Sequence, residues 1–155
     1  METQVKDVMT KTLIAIALGS PVAAAAGLME ENGIRHLPVV DDMDTIVGIV
    51  SRRDFNLLEQ LEEIPVERVM TSPIFYISQD VPLRSAILKM LDHKISSLII
   101  TGDNDDAAGI VTTEDLLGYL VHALDQKEKD KMPFFSTLDK QTLGEVARQL
   151  SLMGI

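Results

Sequence analysis

The chain has 155 residues, 46% hydrophobic and 25% charged, which suits one ordinary domain or two small halves sharing a core. Its net charge of −10, with Lys and Arg not gathered into a basic block, argues against nucleic acid and anionic membrane surfaces as partners. Cysteine is absent, which excludes disulfides, thiolate catalysis and Cys-type zinc sites; with no Trp and few Phe or Tyr, the core has to come from Ile, Leu, Val, Met and Ala.

The first apolar run, residues 13–18, together with residues 21–26 has the outline of a short secretion signal, with Lys6 and Lys11 before it. Gly19-Ser20-Pro21 breaks it, it is too short to span a bilayer, and Asp7 stands in the would-be basic region. It is read instead as part of a fold and the chain as cytoplasmic. Residues 12–16, apolar and β-branched before Gly-Ser-Pro, predict a strand. Pro21 opens a helix that runs to about Gly33. Residues 36–40 and 46–50 predict two strands, separated by a turn at Asp41-Asp42-Met43-Asp44. Ser51 then caps a helix carrying Phe55, Leu57, Leu58 and Leu61. The same order follows again: strand 74–77, helix 82–93, strands 97–101 and 107–111, and helix 113–123. Beyond Leu124, residues 125–131 are almost wholly charged and Met132-Pro133-Phe134-Phe135 breaks any helix. Leu138, Leu143, Val146, Ala147, Leu150 and Met153 then recur at helical spacing, an amphipathic C-terminal segment whose expected role is intrachain packing or self-association.

The recurrence is an internal repeat. A shift of 61 residues places Val5-Lys6-Asp7-Val8-Met9-Thr10 over Val66-Glu67-Arg68-Val69-Met70-Thr71, and Gly48-Ile49-Val50-Ser51-Arg52-Arg53-Asp54 over Gly109-Ile110-Val111-Thr112-Thr113-Glu114-Asp115. From Val5 to Phe55 the two copies share sixteen identities in 51 ungapped positions, against roughly three or four for unrelated sequence of this composition. Pro21, Ala25 and Met29 recur as Pro82, Ala86 and Met90, and these Met residues, with Met9 and Met70, read as core gap-fillers. The expected architecture is α/β: two pseudo-symmetric βαββα repeats, 1–62 and 63–124, packed together, with a C-terminal helical extension at 125–155. A unit of about 60 residues buries too little surface to stand alone, so the copies are expected to pack face to face and leave a cleft.

Both Gly-Ile-Val-[Ser/Thr]-x-x-Asp segments admit two readings. As a capping box, the hydroxyl and the carboxylate satisfy free backbone N–H groups at a helix start. As a binding element, the helix start and hydroxyl suit a phosphate, and the carboxylate one turn later suits a vicinal diol such as ribose. Taken with the Val-x-x-Val-Met-Thr opening and Ile34-Arg35-His36-Leu37-Pro38-Val39-Val40-Asp41, residues 1 to about 124 resemble a tandem CBS-domain protein (a Bateman module). The resemblance implies an adenosine-containing ligand (AMP, ADP or ATP, with S-adenosylmethionine as the alternative) in the inter-repeat cleft. It implies that Ser51 and Thr112 contact phosphate, that Asp54 and Asp115 hold ribose hydroxyls, and that Arg35 stands where some members place a phosphate-contacting base. It further implies that residues near Thr12–Ile14 and Pro73–Phe75 line the adenine pocket. With Arg35, His36, Arg52 and Arg53 on the first copy, against Ser96, Ser97, Thr113 and Glu114 on the second, the Ser51/Asp54 site is expected to be the stronger.

Other chemistry finds no constellation. Asp103, Asp105 and Glu114 have the outer spacing of a calcium loop, but Ala107 and Ala108 stand where it needs a ligand and a glycine. His36, His93 and His122 lack metal-ligand spacing, and Ser51 has no base at a recognisable distance. The expected function is therefore a non-enzymatic sensor, paired as a homodimer in the manner of the resembled family and acting on a regulated protein on another chain. The alternative is a ligand-free interaction scaffold.

Overall fold

The 61-residue offset reappears element by element in a computed structural model, of which residues 2–104 and 106–131 are described. The first copy forms β1 (Ile16–Ala17), α1 (Val22–Asn32), β2 (His36–Val40), β3 (Ile46–Ser51) and the single-turn helix α2 (Arg52–Phe55). The second forms β4 (Tyr76–Ser78), α3 (Leu83–His93), β5 (Ser97–Thr101), β6 (Ala107–Thr112) and α4 (Thr113–Lys131). Each copy builds a three-stranded sheet in the order of its own strands, the first pair parallel and the second antiparallel. Both antiparallel pairs slip register at the same place, between Val39 and Val40 and between Ile100 and Thr101. The chain divides into two compact units, Met1–Leu116 and Leu117–Ile155, and both sheets belong to the first.

α1 and α3 bury the same stripe, Val22, Ala25 and Met29 in one and Leu83, Ala86 and Met90 in the other. Neither has a side-chain N-cap: Pro21 and Pro82 hold those positions. The free N–H groups are taken by carbonyls from elsewhere, Val22 N–H by Ile64 and Ala23 N–H by Leu61, and Leu83 N–H by Thr3. α1 closes on Gly33 in the left-handed region, φ 63°; α3 closes the same way on Lys94, φ 55°.

The lead-in segments are exchanged between the copies. Val5 is fully buried with Ala86, Met90, Leu98, Ile100 and Val111 of the second copy. Val66 is fully buried with Val22, Leu37, Val39, Val50 and Phe55 of the first. Thr10 exchanges both backbone hydrogen bonds with Ile110 at 2.9 Å, and Thr71 does the same with Ile49 at 2.8 and 3.1 Å. A third cluster, Ile49, Ile99 and Ile110 with Leu13 and Ile74 against it, forms the seam between the sheets.

Four expectations are corrected, one of them the strand expected over 74–77, which spans Tyr76–Ser78. The strand expected over 12–16 shrinks to Ile16–Ala17, because the chain before it is bound through Thr10 to β6 of the other copy. The helix expected to run from Ser51 past Leu61 ends at Phe55, and Leu57 is 96% exposed. Beyond it the chain turns through Gln60, φ 57°, which delivers the Leu61 and Ile64 carbonyls to the start of α1. The helix expected over 113–123 runs on to Lys131. The Asp41 turn is as expected: the Asp41 carboxylate accepts from the Met43 and Thr45 N–H groups, both at 2.9 Å. The expected amphipathic segment at 138–153 lies outside the described residues.

The exchanged segments press on the two repeated glycines. A Cβ at Gly109 would stand 2.5 Å from the Thr10 carbonyl oxygen, whereas one at Gly48 would overlap the flexible end of Met70. A backbone atom cannot yield as a thioether can. Gly109→Ala is therefore expected to cost about 1–3 kcal/mol, the usual range for overpacking, and more than Gly48→Ala. Thermal unfolding of the two variants checks the order, and an equal loss contradicts it.

Candidate functional site

Each helix start faces a cleft whose opposite wall comes from the other copy. The Ser51/Asp54 cleft, about 480 Å³, is completed by Thr71, Pro73, Ile74 and Phe75 and by His93 through Ser97 of the second copy. The Thr112/Asp115 cleft, about 350 Å³, is completed by Thr10, Thr12, Leu13 and Ile14 and by Gly33 through His36 of the first. A third space of about 380 Å³ lies between them, lined by Arg35, His36, Arg52, Arg53, Lys94 and Glu114 among others. Volumes of this order are those of small-ligand sites.

This geometry redistributes the residues singled out in the sequence. Ser51 and Asp54 come together with Pro73–Phe75, whereas Thr12, Ile14 and Arg35 line the Thr112/Asp115 cleft. Arg52 lies on the intermediate space, and His36 lines all three. The sequence grouping, which placed Arg35 beside Ser51, missed that Arg35, just before β2, lines the Thr112/Asp115 cleft while α2 of the same copy opens into the other. It also missed Lys94, His93, Thr10 and Thr71. Lys94 left a signal: it replaces Gly33 of the first copy, so a cation occupies a backbone position that favours glycine.

The two carboxylates are held differently. Asp115 Oδ2 accepts from the Thr112 N–H at 2.7 Å and the Thr112 hydroxyl at 2.8 Å, and its Oδ1 accepts from the Thr10 hydroxyl at 3.2 Å. Asp54 Oδ2 accepts from the Ser51 N–H at 2.6 Å, while its other oxygen has no hydrogen bond among the described residues. Both capping boxes are thus real, and in the first copy one acceptor is left over beside open space. Phe75 and His93, with ring centroids 4.3 Å apart, give that cleft an aromatic wall; their equivalents across the repeat are Ile14 and Asn32. The expected dipole of a long helix after Ser51 is missing, since α2 is one turn, so charge there comes from side chains.

Two equivalent bridges cross between the copies. Arg53 donates to Ser96 Oγ at 2.9 Å, and Arg35, the counterpart of Ser96, pairs at 3.3 Å with Glu114, the counterpart of Arg53. Ser96 Oγ also lies 2.9 Å from His36 Nε2. Burial pushes the His36 imidazole below its ordinary value near 6.5, and Arg53 acts the same way, against Glu114, Asp54 and Asp115. A neutral His36 satisfies the chain: Arg53 donates to Ser96, and the Ser96 hydroxyl donates on to Nε2.

Because the folded pKa is depressed, His36 contributes stability above pH 6.5 that is lost as pH falls through the folded value. The melting temperature should therefore drop more between pH 7.5 and 5.5 for the parent chain than for His36→Gln. Parallel profiles would contradict the assignment.

Among the described residues no group of three or more His, Asp or Glu could hold a metal ion, and no helix is long and apolar enough to cross a membrane. A family profile described as CBS domain matches twice, at residues 5–57 and 66–122. A homoserine O-acetyltransferase from Methanococcoides burtonii is 33% identical over 114 residues, 74% of this chain and 23% of that protein. An inosine-5'-monophosphate dehydrogenase from Methanocaldococcus jannaschii is 32% identical over 111 residues, 72% of this chain. The chain thus spans less than a quarter of either relative, 23% and 22%. Among solved structures, the CBS domain pair of protein MJ0100, in complex with 5'-methylthioadenosine and S-adenosyl-L-methionine, is 29% identical with a TM-score of 0.71, covering 79% of this chain and 99% of that one. A conserved CBS domain protein of unknown function from Thermoplasma acidophilum is 25% identical with a TM-score of 0.70, covering 77% and 70%.

Proposed function

This chain belongs to the CBS-domain family, and from that premise we propose that it is a regulatory module that binds an adenosine-containing nucleotide in its inter-repeat clefts and signals the result to a partner protein. The observation that carries the reading is the Ser51/Asp54 cleft: a carboxylate oxygen with no hydrogen bond among the described residues, next to an aromatic wall and two cations. A ribose diol donates to Asp54, a base stacks on Phe75 and His93, and a phosphate meets Ser51, Arg53 and Lys94. Base stacking on an aromatic side chain contributes about 1–3 kcal/mol and a hydrogen bond to a charged group about 1.5–3 kcal/mol. The adenosine compounds bound by the MJ0100 pair support the ligand class.

The chemistry offered is recognition. Homodimer formation, a cytoplasmic location and a regulated partner on another chain belong to the same proposal.

Calorimetric titration with AMP should register binding that Asp54→Ala removes and Asp115→Ala leaves within about threefold. Equal loss from both substitutions would end the preference for the first cleft. In a thermal-shift screen, ligand at about a hundred times its dissociation constant adds about 2.7 kcal/mol, or several degrees at this size. Silence towards AMP, ADP, ATP and S-adenosylmethionine would favour a ligand-free scaffold.

Lys94 offers a separate check. Holding a non-glycine residue in the left-handed region costs about 1 kcal/mol. Lys94→Gly should leave the melting temperature unchanged or higher and weaken AMP severalfold; unaltered AMP affinity would remove Lys94 from the site.

A further inference from the structure

We propose that the two clefts select their ligands by charge. The Ser51/Asp54 cleft takes an adenosine that carries phosphate, and the Thr112/Asp115 cleft takes one without it, uncharged or cationic. Glu114 is the residue that sets the difference. This inference rests on the adenosine-binding reading given above.

The two clefts are built from equivalent elements that differ in the lengths of α2 and α4, and the contrast in side-chain charge comes from substitutions at equivalent positions. Arg53 becomes Glu114, Ser96 corresponds to Arg35, and Lys94 corresponds to Gly33. The first cleft consequently has two cations, Arg53 and Lys94, against one carboxylate, Asp54. The second has one cation, Arg35, against two carboxylates, Glu114 and Asp115. The bridges strengthen the contrast. Arg53 donates to a neutral serine hydroxyl and keeps its charge for a ligand, whereas Arg35 is already paired with Glu114 at 3.3 Å.

A phosphate entering the second cleft has to take Arg35 from Glu114 and then lie beside both carboxylates. Ile14, Ile34 and Pro38 on the wall of that cleft leave less water to screen the repulsion. The N-terminal end of α4 favours an anion, but its first turn already carries Glu114 and Asp115, which fill that role. An adenosine without phosphate leaves the Arg35–Glu114 pair intact. Its ribose needs Asp115 Oδ1, which among the described residues accepts from the Thr10 hydroxyl alone, at 3.2 Å. A cation at the 5' position gains from both carboxylates.

The test uses three ligands that differ only at that position: AMP, adenosine and 5'-amino-5'-deoxyadenosine. Calorimetry on the full chain should find AMP filling one cleft. The AMP-saturated chain should then bind one adenosine, and should bind the amino compound more tightly. Asp115→Ala should abolish that second event. Glu114→Gln, which keeps the side-chain shape, should admit a second AMP with an affinity about tenfold above the parent's for that cleft and erase the advantage of the amino compound. The inference is overturned if AMP fills both clefts of the parent alike, if adenosine fails to bind the AMP-saturated chain, or if Glu114→Gln leaves AMP at one per chain. If AMP binds neither cleft, the underlying reading falls; if AMP binds at Asp54 and the second cleft ignores all three ligands, only the charge selection falls.

Discussion

The exchange of the two lead-in segments holds the rest of the structure in place. Val5 completes the core of the second copy and Val66 that of the first, both with no exposed surface. Removing either would open a cavity under a sheet of only three strands, at a cost in the range of large-to-small core changes. The same segments carry the caps: the Ile64 carbonyl serves α1 and the Thr3 carbonyl serves α3, at equivalent positions of the repeat. Neither copy has a finished core or a satisfied helix start on its own.

The clefts follow from that exchange. Thr10 lies against Ile110 and Thr71 against Ile49, so the chain that follows each lead-in passes in front of the other copy's helix start. Every cleft is therefore composite, with its carboxylate from one copy and its facing wall from the other. Gly109 leaves room at its crossing for the Thr10 backbone, and Gly48 at the other for the Met70 side chain, which can yield. The two copies can differ at a few wall positions without disturbing the scaffold. Arg53 against Glu114 and Phe75 against Ile14 are such positions.

His36 lies where the two sites meet. It lines both clefts and the space between them, and Ser96 ties it to Arg53 across the copies. A phosphate placed near Arg53 competes for the guanidinium that donates to Ser96, and so reaches the hydrogen bond on His36.

Much of this was legible in the sequence. The strands expected over 36–40 and 97–101 have their observed bounds, and α1 and α3 lie within a residue of theirs, because their patterns answer to local rules: Pro at the start of both helices, Gly at the end of α1, apolar runs between turns. The repeat required two packed copies, since neither could bury enough surface alone. Local rules failed where a segment answers to the other copy: residues 12–16 lose their strand to Thr10's partner in β6, and the helix after Ser51 stops so that Leu61 and Ile64 can reach α1. The sequence by itself determined the repeat, the elements and which residue types stand at each helix start. Only the tertiary structure decided which of them share a cleft, because the walls meet across roughly sixty residues of chain and no periodicity records a contact between segments that far apart.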